Sequence, residues 1–102
     1  MATYTSKVLY RGAASTTVTT TLYTVPSSTT TVVTNIVVSN TAASSGTFTL
    51  YLNGTIVANT VTIGANDSTV IDMKQVLAAT NTIQGGASAT TINFHISGVE
   101  IA

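Results

Sequence analysis

The chain has 102 residues, of which 44% are hydrophobic and 6% are charged, and its formal net charge is zero. Charged residues usually make up about 25% of a soluble domain, and this composition excludes both a basic stripe for nucleic-acid phosphates and a disordered chain. With no cysteine and no apolar run near the roughly 18 residues of a membrane span, we expect one small domain without disulfides, nucleic-acid partners or membrane segments.

The N-terminal segment, residues 1–15, is predicted to be either an edge strand or an arm that docks on a neighbouring subunit. Its aromatic and basic residues, the types enriched at interface hot spots, are Tyr4, Lys7, Tyr10 and Arg11. The Gly-Ala-Ala-Ser sequence of residues 12–15 has the composition of a hinge. We therefore divide the chain into this segment and a β-sandwich domain over residues 16–102, with both alternatives open for the segment.

Two predicted strands follow, over residues 16–25 and 31–40, and a turn at Pro26 separates them. Neither strand contains a charged residue, and both of their faces carry apolar side chains. At a period of two, Val33 and Val37 lie together on one face of the second strand. A sandwich strand needs only one apolar face. The surplus face is therefore covered by another chain, covered within the fold, or left as a Val- and Thr-rich exterior.

A tight hairpin is predicted at Asn53-Gly54, because a type I′ turn needs positive φ at both central residues. The residues that this turn would place opposite each other are Leu52 and Thr55, Leu50 and Val57, and Tyr51 and Ile56. Asn59 would then fall on the apolar face, which predicts a bulge near it. The surplus apolar residues that we expect at contacts between chains are Val33, Val37, Tyr51 and Ile56.

The second half of the chain is predicted to add three strands. Residues 68–73 form the first, and residues 74–79 form a helical turn or a loop. Residues 82–84 form a short strand that ends at two glycines. The last strand covers residues 90–101, with a register shift at Gly98.

About eight short strands with a turn signal roughly every 8–12 residues are typical of a sandwich or jelly roll. The expected fold is therefore all-β, an antiparallel two-sheet β-sandwich that is jelly-roll-like. The residues predicted to form its core are Phe48, Leu50, Leu52, Val61, Ile63, Ile92, Phe94 and Ile96.

Few residues could carry chemistry. His95 is the only histidine, and without cysteines it cannot complete a usual zinc site. The three acids, Asp67, Asp72 and Glu100, follow no spacing typical of a calcium loop or a paired acid and base. Asp72 and Lys74 are two apart on one strand, where a surface ion pair is expected. We therefore expect no enzyme, no catalytic residues, no cofactor and no bound metal.

Several strand-and-turn motifs resemble those of small structural proteins of tailed bacteriophages. The motifs are LYRG near the N-terminus, LYTVP, TNIVVSN, a Ser/Ala loop, TLYLNG, and ISGVEI near the end. The resemblance covers nearly the whole chain. It implies a virion component with a β-sandwich fold.

Among virion components, the resemblance favours a head decoration or cement protein that stabilises the assembled phage head. Such a protein would act as a homotrimer and bridge subunits of the major capsid protein, with many weak contacts adding up. The alternative is a tail, neck or fibre accessory protein, including one that binds a glycan on the host surface. The implied location is the virion, assembled in the bacterial cytoplasm, and the implied partners are virion proteins and further copies of this chain.

Overall fold

Threonine and valine are β-branched and favour extended backbone, and they are common in the strands of this chain. The computed structural model describes residues 2–102, in which there are eight strands and no helix, and hence no helix that could cross a membrane. The strands are β1 (Tyr4–Ala13), β2 (Thr21–Thr24), β3 (Thr30–Asn40), β4 (Gly46–Leu52), β5 (Thr55–Ile63), β6 (Ser68–Leu77), β7 (Thr82–Ala87) and β8 (Ile92–Ile101).

The strands form two four-stranded antiparallel sheets. The first sheet has the order β1-β8-β3-β6 and the second the order β2-β7-β4-β5. Within this order β1 pairs with β8, β2 with β7, β3 with β6 and β4 with β5. This is the arrangement of one long hairpin, closed between β4 and β5 and then rolled up, which defines a jelly roll. The predicted fold class is confirmed.

The core lies between the sheets and is built from aliphatic side chains around two phenylalanines. Phe48 of the second sheet and Phe94 of the first meet edge to face, with ring centroids 6.3 Å apart. Seven of the eight predicted core residues are buried. The exception is Val61, which keeps 39% of its surface exposed. It pairs with Phe48, but β5 is the edge of its sheet, and within residues 2–102 no strand lies on the far side of Val61.

The β4–β5 hairpin follows the predicted pairing near the turn and departs from it further along. Leu52 pairs with Thr55 and Tyr51 with Ile56, as predicted, but Leu50 pairs with Ala58 instead of Val57. The register shifts between the Tyr51–Ile56 pair and the Leu50–Ala58 pair. This leaves Val57 outside the ladder, with 48% of its surface exposed. A second shift lies next to Asn59, at Thr60, whose φ is 49°. The predicted bulge near Asn59 is confirmed.

The register shift predicted at Gly98 lies in the neighbouring strands and not in β8. Strand β3 contains one extra residue, Thr34, opposite the step between Ser97 and Gly98, and β1 contains one extra residue, Leu9, opposite the step between Ile96 and Ser97. A Cβ atom on Gly98 would stand 2.3 Å from the carbonyl oxygen of Val32 and 2.9 Å from Leu9 Cδ1. Glycine is therefore required here by the close approach of β3, and β8 keeps its regular alternation.

The extra residue in β3 changes which valines face the core. The prediction that Val33 and Val37 share one face is wrong, because the bulge at Thr34 lies between them. Val33 is fully buried in the core, whereas Val37 is half-buried and points outward. Val32, four residues before the core residue Ile36, points outward for the same reason.

Three predicted boundaries are also corrected. Strand β6 continues to Leu77, so residues 74–79 form no helical turn, and β7 includes both glycines that were expected to end it. Strand β2 has only four residues, because residues 14–20 loop over the second sheet. A Cβ atom on Gly86 would lie 2.6 Å from the carbonyl oxygens of Ser15 and Thr17. The glycine thus allows this loop to cover the outer side of β7.

The N-terminal segment forms strand β1 at the edge of the first sheet, paired along its length with β8. Leu9 of this strand belongs to the core. Within the segment expected to be a hinge, Ala14 is buried and its backbone N–H donates to the carbonyl of Ile92 at 2.7 Å. The boundary between residues 15 and 16 stays a prediction.

Replacing Phe94 by alanine should lower the free energy of unfolding by about 3–5 kcal/mol, because the side chain is fully buried and a cavity would remain. Chemical denaturation of the isolated protein measures this loss. The matched control is Val57→Ala, since Val57 is 48% exposed on the second sheet and should change stability by no more than about 0.5 kcal/mol. A loss below about 1 kcal/mol for Phe94→Ala would contradict the register of β8.

Removing residues 1–11 should destabilise the isolated protein, because it deletes most of β1 and the buried Leu9 and leaves the edge of β8 unpaired. We expect the melting temperature to fall by at least about 10 °C. Removing only residues 1–2, which precede β1, is the control and should leave it nearly unchanged. An unchanged melting temperature after the longer truncation would favour the arm alternative.

Candidate functional site: the outer face of the first sheet

The outer face is the side of the first sheet that points away from the core. Alternate residues of β1, β8, β3 and β6 project onto it, and the strand register arranges them in rows. One row contains Val76, Val32 and Val99. A second row contains Asp72, Asn35, Ser97 and Val8. A third row contains Val70, Val37, His95 and Arg11.

The outer face is therefore apolar in patches that no other part of residues 2–102 covers. Four of the seven large hydrophobic side chains exposed among residues 2–102 belong to it: Tyr4, Val8, Val70 and Val76. Val70 and Val76 are exposed by 58% and 66%. Exposed apolar groups on one rigid surface are typical of an interaction site. The fold therefore does not cover the apolar residues on the outer face, although it does bury Val33.

A shallow open groove crosses this face at the level of the β-bulges. Its walls include Ser6, Val8, Ser97 and Val99, and the hydroxyl of Thr34 donates to the carbonyl of Ser97 at 3.1 Å. Valine side chains, small hydroxyls and the basic Lys7 line it, with no acid among its lining residues. Small-molecule sites are usually enclosed clefts, so an open groove of this kind fits a protrusion of a protein partner better.

The second sheet presents a different outer surface. None of its four strands contains a charged residue. Tyr51, half-buried, pairs there with Ile56, which is 42% exposed. The loop of residues 14–20 covers another part of this surface.

The residues predicted to make contacts between chains do not form one patch. Tyr4, Arg11 and Val37 lie on the outer face, whereas Tyr51 and Ile56 lie on the second sheet. Contacts through these five residues remain predictions. The predicted contact through Val33 is wrong, because its side chain is fully buried in the chain's own core and cannot reach a partner.

Lys7 and Tyr10 point toward the inner side of β1. Tyr10 packs against the core and its hydroxyl donates to the carbonyl of Ala13 at 2.9 Å. Lys7 joins a polar cluster at one end of the sandwich. The structure therefore gives both residues contacts within the chain.

Sequence reasoning missed most of the valines on the outer face: Val8, Val32, Val70, Val76 and Val99. The alternation of β6 does place Val70 and Asp72 on one side of the strand. It does not indicate which side faces solvent, since that depends on the pairing with β3. For Val32 the sequence signal was misleading, because the extra residue at Thr34 reverses its direction.

The polar cluster joins the two sheets at one end of the sandwich. Lys7 Nζ donates to both carboxylate oxygens of Glu100, at 3.2 and 3.3 Å. The Tyr23 hydroxyl, from the second sheet, donates to the same carboxylate. The hydroxyls of Tyr23 and the fully buried Thr31 are 2.9 Å apart, and Thr31 is the donor because the proton of Tyr23 is already shared with Glu100.

These contacts stabilise the ionised carboxylate of Glu100 and the neutral hydroxyl of Tyr23, which are the forms that hydrogen-bond to each other. The hydrogen bond from Tyr23 lowers the pKa of Glu100 below its usual value, and Lys7 adds to this effect. Burial raises the pKa of Tyr23 to about 12, and the hydrogen bond to Glu100 contributes. A carboxylate held between a lysine and a tyrosine fastens β2 to β8. We assign it a structural role, because all three groups already satisfy each other.

Two expectations about charged residues can be compared with the structure. The predicted ion pair between Asp72 and Lys74 is absent, since the Lys7–Glu100 pair is the only salt bridge within residues 2–102. Side chains two apart on a strand lie roughly 7 Å from each other, which is too far for a salt bridge without bending. In the same part of the chain no three acids, histidines or cysteines come together in a way that could hold a metal ion.

No protein-family model matches the sequence, and no curated protein matches it. Among solved structures, one of infectious bursal disease virus, Gx strain, aligns with a TM-score of 0.50 and 13% identity over 98% of this chain. The alignment spans 31% of the viral chain, so this chain covers about a third of that protein's length. The tobacco streak virus coat protein, solved as a dimer, aligns with a TM-score of 0.43 and 12% identity over 99% of this chain and 85% of its own. At such low identity the first likeness concerns the fold alone.

Replacing Glu100 by glutamine should flatten the dependence of stability on acid pH. The pKa of Glu100 is lower in the folded chain than in the unfolded chain. Its contribution is therefore complete above the unfolded value, about 4.3, and is lost as the pH falls through the folded value. Thermal unfolding from pH 7 to pH 3 measures this slope.

The variant Tyr23→Phe provides a second measurement of the same cluster. It keeps the carboxylate but removes the hydrogen bond that lowers the pKa of Glu100 most. It should therefore give a slope between those of the wild type and Glu100→Gln. Equal slopes for all three proteins would contradict the role assigned to the cluster.

Proposed function

We propose that this protein is a virion structural protein that decorates an assembled phage head and bridges neighbouring capsid subunits as a cement protein. The observation that carries the proposal is the outer face, where rows of valines on a rigid sheet stay open to solvent. Fold alone does not determine function, so the proposal rests on this surface. The jelly-roll topology and the motifs that resemble phage structural proteins support it.

The chemistry of the outer face suits attachment to a large protein surface. Valine and threonine lose little side-chain entropy when they are buried, and the sheet backbone is already ordered. A single copy buries a modest apolar area and binds weakly. When many copies each contact two shell subunits, the contacts act together and the shell is held more strongly than by any single copy.

The few charged residues on this face would orient the protein on its partner. Arg11 lies at one end of the row that contains Val37 and His95, and it is exposed. An acidic group on the shell opposite Arg11 would orient the docked copy, while the valines supply the buried area. The partner in this proposal is the major capsid protein.

The number of copies per virion tests the proposal and distinguishes it from a tail, neck or fibre role. Quantitative mass spectrometry of purified particles measures the ratio of this chain to the major capsid protein. A decoration protein should be present in hundreds of copies. A dozen or fewer copies would favour the tail or fibre alternative and contradict the proposal.

Replacing Val37 by lysine should weaken attachment to the shell and leave the protein folded. Placing a charge in an apolar contact costs about 1–3 kcal/mol per copy, a loss of roughly tenfold or more in affinity. Cosedimentation with undecorated heads measures binding, and circular dichroism checks the fold. The control is Thr62→Lys, which adds the same charge at an exposed residue of the second sheet. Equal binding of both variants would place the contact elsewhere.

A further inference from the structure

Strand β6 ends the first sheet, and no strand within residues 2–102 pairs with its outer edge. It pairs with β3 on one side only, along residues 68–77 except at Met73 and Lys74, where the register with β3 shifts. A long edge strand offers a row of unpaired N–H and C=O groups to any other strand. Its two outward valines, Val70 and Val76, are the most exposed aliphatic side chains described. The edge therefore combines free backbone groups with an apolar surface.

The outward side chains of β6 form a pattern that is complementary to itself. In chain order they are Val70, Asp72, Lys74 and Val76, so the pattern is apolar, acidic, basic, apolar. An antiparallel second copy presents the same residues in reverse order. If Met73 lies opposite Met73 of the second copy, then each Asp72 faces Lys74 of the other copy. Each Val70 then faces Val76 of the other copy.

We infer that two copies of this chain associate by antiparallel pairing of their β6 edges around a two-fold axis at Met73. Asp72 and Lys74 have no salt-bridge partner within residues 2–102. Directly opposed residues of antiparallel strands have Cβ atoms about 4.5–5.5 Å apart, closer than residues two apart on one strand. The second copy thus supplies both charges with the partners that the chain itself cannot provide.

The charges also select this register from its neighbours. A slip that keeps the same side chains outward moves the axis by one residue, to Asp72 or to Lys74. The first places Asp72 opposite Asp72, and the second places Lys74 opposite Lys74. Like charges directly opposed are destabilising. Of these three registers, only the one centred on Met73 brings opposite charges together.

The pairing would join two four-stranded sheets into one sheet of eight strands. The row of Val37 and Val70 in one copy would continue into the row of Val76, Val32 and Val99 in the other. A two-fold contact uses the same surface on both chains and closes after two copies. This inference does not depend on the proposed function, and it replaces the expected trimer for the free protein.

Charge reversal on β6 tests the inference. In Asp72→Lys all four charges at the contact become positive, and in Lys74→Asp all four become negative. Two attractive pairs are then replaced by two repulsive ones, so we expect the dissociation constant of each variant's homodimer to rise about tenfold or more. Sedimentation velocity over a range of protein concentrations measures it.

Mixing the two variants provides the internal control. An Asp72→Lys chain and a Lys74→Asp chain carry opposite charges at both positions, so every pair across the contact is attractive again. An equimolar mixture should form a heterodimer at least as tight as the wild-type dimer. Because this rescue needs both proteins folded, it separates lost pairing from lost structure.

Amide hydrogen exchange locates the contact. The N–H groups of β6 that point away from β3 should exchange more slowly as the wild-type dimer forms. A wild-type protein that stays monomeric at millimolar concentration would overturn the inference, as would a trimer. Dimers that are unaffected by charge reversal, or that leave the β6 amides unprotected, would overturn it as well.

Discussion

The close approach of β3 to β8 at Gly98 is the constraint on which the surface of the first sheet depends. The carbonyl oxygen of Val32 lies where a Cβ atom on Gly98 would stand, and only glycine permits this contact. Both strands that flank β8 contain one extra residue at this level. In β3 the extra residue turns Val33 into the core and Val32 out of it. The composition of the outer face is thus decided by one position where two backbones meet.

Regular alternation and turn chemistry made much of the fold predictable. Phe48, Leu50 and Leu52 face inward as their period of two requires, and Asn53-Gly54 closes the hairpin with positive φ at both residues. Errors arose where an extra residue interrupts the alternation, because a one-residue shift moves every following side chain to the other face. Val33 and Val57 are the clearest cases. Such insertions depend on contacts with neighbouring strands, which a sequence read strand by strand does not contain.

The candidate site was less predictable than the fold for a related reason. A surplus of apolar residues could be recognised from composition, and Tyr4, Arg11 and Val37 do lie on the outer face. Their neighbours Val70 and Val99 come from distant parts of the chain, and only the strand order β1-β8-β3-β6 brings them together. The charged residues are also unevenly distributed between the two sheets. Five of the six lie in strands of the first sheet, and Asp67 lies in a turn. The second sheet keeps a neutral surface.

The two edges of the first sheet differ in a way that would limit assembly to a closed pair. Both charged residues of β1, Lys7 and Arg11, are basic, and Lys7 is already bound to Glu100. Strand β1 itself contains no acid, so two β1 edges brought together would offer Arg11 no partner of opposite charge. Strand β6 carries one acid and one base, and in an antiparallel second copy each of them faces the opposite charge. An edge of this kind can pair with a second copy, while the opposite edge gives no equivalent contact for adding further sheets. A sheet with one self-complementary edge and one basic edge would thus end at eight strands.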